Sequence, residues 1–386
     1  MEDKKPKNIL VVNGILHAHF TVSVEIVRDL VLLGHNVTCF VLDEFEDRIK
    51  DTGAKVISFS VDRSNFKPIP NYPIYSINGY LFAYSYDKIL TFLSKEKDKY
   101  DYFMFDSFFD IKEMNKVLNI PLEKYIIISS AFIFVDNEDT FNLSSGRATA
   151  LKPINIKYNI NLHDFVAIHY VPNKFKKLIV TSKNFHLRGE TTDDTCFFVG
   201  PSIEKRKIDE NFKFKKDENK KLVYISLGTI NNFMYDFFSK CIEAFKDSEE
   251  YQIIMSVGKN IDIQKLGDIP KNIFVFPYVP QTQLLPDVDV FITHGGLSST
   301  QEGLMAGVPL IVIPFVNDQF DNAKRVEEFG AGIALDEKKI TVDSLKNSVN
   351  KIIANMENYK KGVNKIVESF KESINNRKNI YEKIFV

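Results

Sequence analysis

The chain of 386 residues has no tryptophan, only three cysteines and no excess of either charge: 50 Lys and Arg stand against 51 Asp and Glu, a formal net charge of -1. A nearly neutral chain carries no global positive field for holding nucleic acid or an anionic membrane surface, so a small partner is expected. Cys39, Cys196 and Cys241 are odd in number and widely spaced, which excludes a disulfide framework and a metal-ligand set and suits a reducing compartment. No stretch approaches about 18 consecutive apolar residues, and the ILVV run behind the charged start is too short for a signal peptide. No membrane span and a cytoplasmic location are therefore expected. Short-period repeats are lacking as well. The missing tryptophan, beside 33 Phe, excludes nothing about function.

What is present is an ordinary globular composition, 44% hydrophobic and 26% charged, long enough for two domains at about 150 residues each. Asn8 to Asn13 reads as a strand buried on both faces, followed by a helix whose apolar residues run from Val22 to Leu33 and by a strand Val37 to Leu42. Apolar runs at Lys55 to Phe59, Tyr102 to Phe105, Tyr125 to Ser129 and Leu178 to Thr181 continue the alternation, as a doubly wound parallel sheet requires. The pattern lapses over residues 204–220, read as a solvated mixed-charge linker, and restarts with strands at Leu222 to Leu227, Ile253 to Val257, Ile273 to Phe276, Val288 to Thr293 and Pro309 to Ile313. The expected organisation is an N-terminal domain over 1–203, the linker 204–220, a second α/β domain over 221–370, and a C-terminal helix at 371–386 that crosses back to the first domain.

The densest chemistry lies between Tyr278 and Asn322. A strand ends in His294, Gly295 and Gly296, and a helix from Leu297 to Ala306 follows. Such a helix start gathers free N–H groups and the positive end of the dipole at one spot, and the glycine pair admits a phosphate to the backbone; His294 adds a donor. Taken alone, the same residues also fit a capped helix after a tight turn. Glu302, one turn after Ser298, is placed for ribose hydroxyls, and Asp318 and Gln319 end the next strand, at the sheet edge where open α/β sheets hold ligands.

This segment resembles the donor-binding box of the UDP-sugar-dependent glycosyltransferases, the GT-B family that contains plant secondary-product enzymes and bacterial macrolide and flavonoid glucosyltransferases. The elements PQ, THGG, SSTQE, GVP and NDQ occur in the family's order over some forty residues. The resemblance implies a GT-B fold, two Rossmann-like doubly wound domains facing a cleft, and a UDP-sugar donor in the second. It places Tyr278 on the uracil, where plant members have Trp, Val279 against the base through its backbone and Gln281 along the nucleoside. His294, Gly296, Ser298, Ser299 and Thr229 would meet the diphosphate, Glu302 the ribose, and Asp318 with Gln319 the sugar hydroxyls. Leu297 and Ser298 replace the Trp-Asn common in plant members, which makes the bacterial branch the nearer one.

At the mouth of the first strand stand two histidines, His17 and His19, behind a single Gly14 that makes no dinucleotide fingerprint. A histidine there suits a general base for an acceptor hydroxyl, steadied by a carboxylate such as Asp106 at the end of a neighbouring strand; Asp110 competes for that part. Aligned with the family, His19 matches the catalytic base, Asp106 its partner, and His17 lines the acceptor mouth. The aromatic stretches Tyr72 to Phe92 and Phe132 to Phe165 serve as core, as an apolar acceptor pocket, or as both, and for a pocket Phe20, Phe108 and Phe109 would be the nearest walls. Asp287-Val288-Asp289 imitates a D-x-D metal motif but precedes a buried strand, so neither a metal nor another cofactor is expected. The expected activity is inverting transfer of a sugar, glucose by default, from the UDP-sugar to a small hydroxylated acceptor, by a monomer or weak dimer. A UDP-sugar epimerase and a non-catalytic nucleotide-sugar-binding subunit are the competing readings.

Overall fold

The computed structural model describes residues 5–13, 15–62, 73–132, 146–162, 174–204, 206–228, 234–316 and 318–385. They form two compact units, Met1–Glu204 with Glu372–Val386, and Lys205–Lys371.

Unit 1 holds a seven-stranded sheet of β1 (Asn8–Val12), β2 (Asn36–Leu42), β3 (Lys55–Phe59), β4 (Tyr102–Asp106), β5 (Tyr125–Ser129), β6 (Lys176–Ile179) and β7 (Cys196–Phe198), in the spatial order 3-2-1-4-5-6-7. Unit 2 holds β8 (Lys221–Ser226), β9 (Tyr251–Ser256), β10 (Ile273–Phe276), β11 (Val290–Thr293), β12 (Leu310–Val312) and β13 (Gly332–Ala334), in the order 10-9-8-11-12-13. Every pairing in both sheets is parallel. The central strands show why: β1, β4, β5 and β8 are near-continuous runs of Ile, Leu, Val, Phe and Tyr, buried along almost their whole length. Only a sheet covered by helices on both faces has a place for such runs.

The order of both sheets reverses once, between β1 and β4 in unit 1 and between β8 and β11 in unit 2. At such a reversal the connections from adjacent strands leave in opposite directions and open a crevice beyond the carboxyl ends. His17 and His19 follow β1 and Asp106 ends β4, while Gly228 and His294 follow the second pair.

The stretch expected as a solvated linker is instead fastened to unit 2. Phe212 and Phe214 set their rings edge-on against Phe276 and Phe274 of β10, at 5.4 and 5.3 Å between centroids. The Asp209 amide donates to Gln283 at 2.9 Å, and Lys216 Nζ donates to the carbonyl of Asp287 at 2.7 Å. β10 is the edge strand of its sheet, and the two phenylalanines shield part of it from water. The charged residues around them hid this apolar alternation.

After Asp336 the chain forms the helices Val342–Ala354, Met356–Asn375 and Arg377–Ile384. The last of these belongs to unit 1, whose core takes in Ile380, Tyr381, Ile384 and Phe385. Buried Arg377 secures it, donating to the carbonyls of Val199, Gly200 and Pro201 and to Asp29 at 3.3 Å. Burial raises the Asp29 carboxyl above its ordinary pKa in spite of the guanidinium beside it.

Candidate active site

In unit 1 the helix His17–Leu32 begins three residues beyond Gly14, which itself lies outside the described residues. His19 Nδ1 stands 3.0 and 3.2 Å from the two carboxylate oxygens of Asp106, the last residue of β4. A carboxylate only accepts, so the shared hydrogen sits on Nδ1 and the lone pair of Nε2 is left to take a proton. Asp106 is 2% exposed and His19 13% exposed, so the carboxylate is sealed behind an imidazole that solutes still reach. The Phe108 amide donates to Asp106 at 2.9 Å, and the Phe108 ring stacks on His19 at 3.8 Å with 25° between planes. Phe82 backs Phe108 edge-on at 5.6 Å. The imidazole is thus fixed in plane by stacking and in tautomer by the carboxylate. Ser130, just past β5, brings its hydroxyl to 2.8 Å from Nδ1 and 3.4 Å from Nε2.

In unit 2 the ring of His294 lies in a slot between two glycines: a Cβ at Gly228 would stand 2.6 Å from its Cε1, and one at Gly296 2.6 Å from its Nε2. Gly228 also has a φ of +72°, which side-chain-bearing residues rarely adopt. Nδ1 is buried without a hydrogen-bond partner, and burial lowers the imidazole pKa to about 4. At neutral pH the ring is therefore an uncharged donor.

The helix Leu297–Met305 opens at Gly296 with no side-chain cap, and its first hydrogen bond runs from the Thr300 amide to the Gly296 carbonyl at 2.9 Å. The amides of Leu297, Ser298 and Ser299 thus precede the helical ladder and converge beside His294. Aligned amides at a positive dipole end make an anion site. The helix reaches this position because Gly303 lies against Leu310 and Phe291, where a Cβ would stand 2.8 and 2.9 Å from their side chains.

Around this nest, Gln281 Nε2 donates to buried Glu302 at 2.6 Å and to Ser299 Oγ at 3.4 Å. Tyr278 is 53% exposed on the loop after β10, a free face for a planar ring, while neighbouring Val279 is buried. Asn322 Nδ2 donates to the Gly295 carbonyl at 2.8 Å and to Asp318 at 3.2 Å, tying the glycine turn to the helix Gln319–Glu328. Gln319 Oε1 accepts the amides of Phe315 and Val316 at 2.8 and 3.1 Å, which fixes the loop behind Asp318. Thr229 lies outside the described residues.

Not every expected position lines an opening. Phe20 is fully buried, stacked on Phe45 at 4.0 Å beneath the Arg48 guanidinium, because one residue beyond His19 the helix turns its side chain toward the sheet. Phe109 is also interior, edge-on to Tyr86 and Phe105. Neither walls an acceptor pocket; Phe108 does face the imidazole. His17 is exposed, its ring edge-on to Phe45 at 4.9 Å. Asp110 caps the helix Ile111–Leu118 by accepting the Glu113 amide, which removes it from competition with Asp106. Of the two aromatic stretches, the described part of the first lies in the helix Pro73–Glu96, where Phe82 and Tyr86 are core; residues 133–145 and 163–165 of the second lie outside the described residues. Asp289 accepts from the Leu222 amide at 2.9 Å and pairs with Lys216 and Lys221. Burial would raise its carboxyl, yet that amide and the two lysines hold it below its usual pKa, so its part is structural. Ser130 was not foreseen; its only signal is its place at the end of a strand beside β4.

Two Rossmann-like units, one presenting a His–Asp pair and the other an uncapped helix start beside a buried histidine, each at a reversal of strand order, have the architecture of the GT-B fold. Residues 208–373 match the family described as UDP-glucoronosyl and UDP-glucosyl transferase. The chain is 33% identical over 368 residues to NDP-glycosyltransferase YjiC of Bacillus subtilis, covering 92% of this chain and 91% of that protein. It is 24% identical over 362 residues to the oleandomycin glycosyltransferase of Streptomyces antibioticus, covering 89% and 82%. Among solved structures, the glycotransferase of kitacinnamycin superposes with a TM-score of 0.78 over 98% of this chain and 99% of that one, at 22% identity. The chain belongs to the UDP-glucoronosyl and UDP-glucosyl transferase family and is a glycosyltransferase.

Proposed function

We propose that this enzyme transfers glucose from UDP-glucose, with inversion at the anomeric carbon, to the hydroxyl of a small apolar acceptor. The observation that carries the proposal is the His19–Asp106 pair, whose Nε2 lone pair is the proton acceptor that attack by a hydroxyl demands. As the acceptor oxygen bonds to the anomeric carbon, its proton passes to His19 Nε2, Asp106 steadies the imidazolium, and the bond from the anomeric carbon to the diphosphate oxygen breaks. The departing charge is met by the amides at the head of Leu297–Met305 and by the neutral His294 donor, which make a divalent cation unnecessary. Attack opposite the leaving group inverts configuration. The family name supports a UDP donor, and the relative named for oleandomycin supports an apolar natural-product acceptor.

The test is a panel of UDP-sugars against phenols, flavonoids, sterols and macrolides, read by mass spectrometry, with the anomeric configuration of any product read by NMR. A β-glucoside formed only with UDP-glucose is the expected result; retention of configuration, or no product with any donor, would overturn it. Incubation with each UDP-sugar alone separates transfer from epimerisation.

A further inference from the structure

The ribose subsite rests on a residue that neither the motif nor the nest includes. Tyr224, in the middle of β8 and 1% exposed, stacks on Phe291 of β11 at 4.8 Å with 18° between the planes. Its hydroxyl, flanked by Ser226 and Ser256, donates to Gln281 Oε1 at 3.3 Å. With its oxygen held there, Gln281 turns its amide nitrogen toward Glu302 Oε2 at 2.6 Å and Ser299 Oγ at 3.4 Å. A chain of three side chains therefore runs from the sheet interior to a buried carboxylate. The same Phe291 ring that carries Tyr224 also receives Gly303 of the helix bearing Glu302, so both ends of the chain are referred to one aromatic plate.

We propose that Tyr224 is a positioning residue for donor selection: through Gln281 it holds the Glu302 carboxylate in the attitude that accepts ribose hydroxyls, so that the choice of ribonucleoside over 2′-deoxyribonucleoside diphosphates depends on a side chain that touches neither sugar nor phosphate. This rests on the assignment of the nest to a uridine diphosphate. A carboxylate confined by packing and by a donor from one side distinguishes two hydroxyls from one, whereas a mobile carboxylate re-aims to serve whichever remains.

The experiment compares binding of UDP and 2′-deoxy-UDP by calorimetry in the full chain, in Tyr224→Phe, Gln281→Leu and the double variant, with Tyr251→Phe as control. Tyr251 bonds to Asn350 through its hydroxyl at 2.6 Å in the same unit, outside the nest. The wild type should prefer UDP about tenfold, and Tyr224→Phe should narrow that ratio about threefold or more. In turnover the loss should fall on the KM for the sugar nucleotide rather than on kcat. Gln281→Leu should narrow the ratio at least as much, and Tyr224→Phe added to it should change nothing further, because the link is already cut. Tyr251→Phe should keep the wild-type ratio. Tyr224→Phe with an unchanged ratio, or additive effects in the double variant, would overturn the inference alone. Failure of the wild type to bind UDP would overturn the assignment of the site and this inference with it.

Discussion

Replacing His294 with a residue that does not titrate should remove an acid sensitivity from the folded protein. Burial pushes the enclosed imidazole down to about 4, from an ordinary 6.5. Below pH 6.5 the unfolded chain therefore takes up a proton that the folded chain refuses, and stability falls as the pH falls. The whole difference amounts to about 3 kcal/mol and is complete only below pH 4; about 2 kcal/mol is already lost at pH 5, and almost nothing at pH 7. Urea unfolding followed by circular dichroism between pH 7.5 and 4.5, for the wild type and His294→Asn, isolates the effect. The stability gap between them should shift by about 2 kcal/mol from pH 7 to pH 5, against the wild type. A gap constant to within about 0.5 kcal/mol over that range would refute the enclosure of the ring and the neutral-donor role that follows from it. Saturating UDP should shrink the acid loss, since a diphosphate beside the ring stabilises its charged form.

His19→Ala should lower kcat by about 10³-fold while leaving UDP affinity within about twofold, as loss of a general base requires; steady-state kinetics and calorimetry read the two. Asp106→Asn should lower kcat as well, because an amide no longer dictates which imidazole nitrogen carries the hydrogen. Arg377→Met strands three carbonyls and the Asp29 carboxylate and should destabilise unit 1 by roughly 3 to 5 kcal/mol in denaturant titration, with no direct effect on the nucleotide nest. Under the proposed mechanism, in which amides and a helix dipole meet the leaving charge, transfer should persist at its full rate in excess chelator; recovery only on adding a divalent cation would refute that account.

Most strands were legible in the sequence as short apolar runs, the edge strands β3 and β10 among them. The two that escaped, β7 and β13, are three residues long, too little chain for a pattern. β6 begins two residues before the expected Leu178, because its first position is Lys176 and its second the fully buried Lys177, whose amine reaches Thr195. The helix Pro73–Glu96 was hidden by its run of apolar and aromatic residues: Leu81, Phe82 and Ala83 are interior in succession, which blurs its helical period. Residue chemistry alone left His17 and His19 equivalent. They begin a helix some 200° apart around its axis, and only His19 turns toward Asp106. Ser130 meets His19 across 111 residues of chain, a proximity that only the neighbouring positions of β4 and β5 create.

The homeward path of the final helix sets an order of assembly. Unit 2 is one uninterrupted stretch, complete once Lys371 has left the ribosome, whereas unit 1 waits for Glu372 to Val386 to fill a socket that its first two hundred residues have built. During synthesis the later half is thus ready to fold before the earlier one is whole. A premature stop anywhere in the closing turns would leave unit 2 whole while removing Ile380, Tyr381, Ile384 and Phe385 from the core of unit 1, so such truncation should yield a protein with one intact half that is marked for proteolysis by the other.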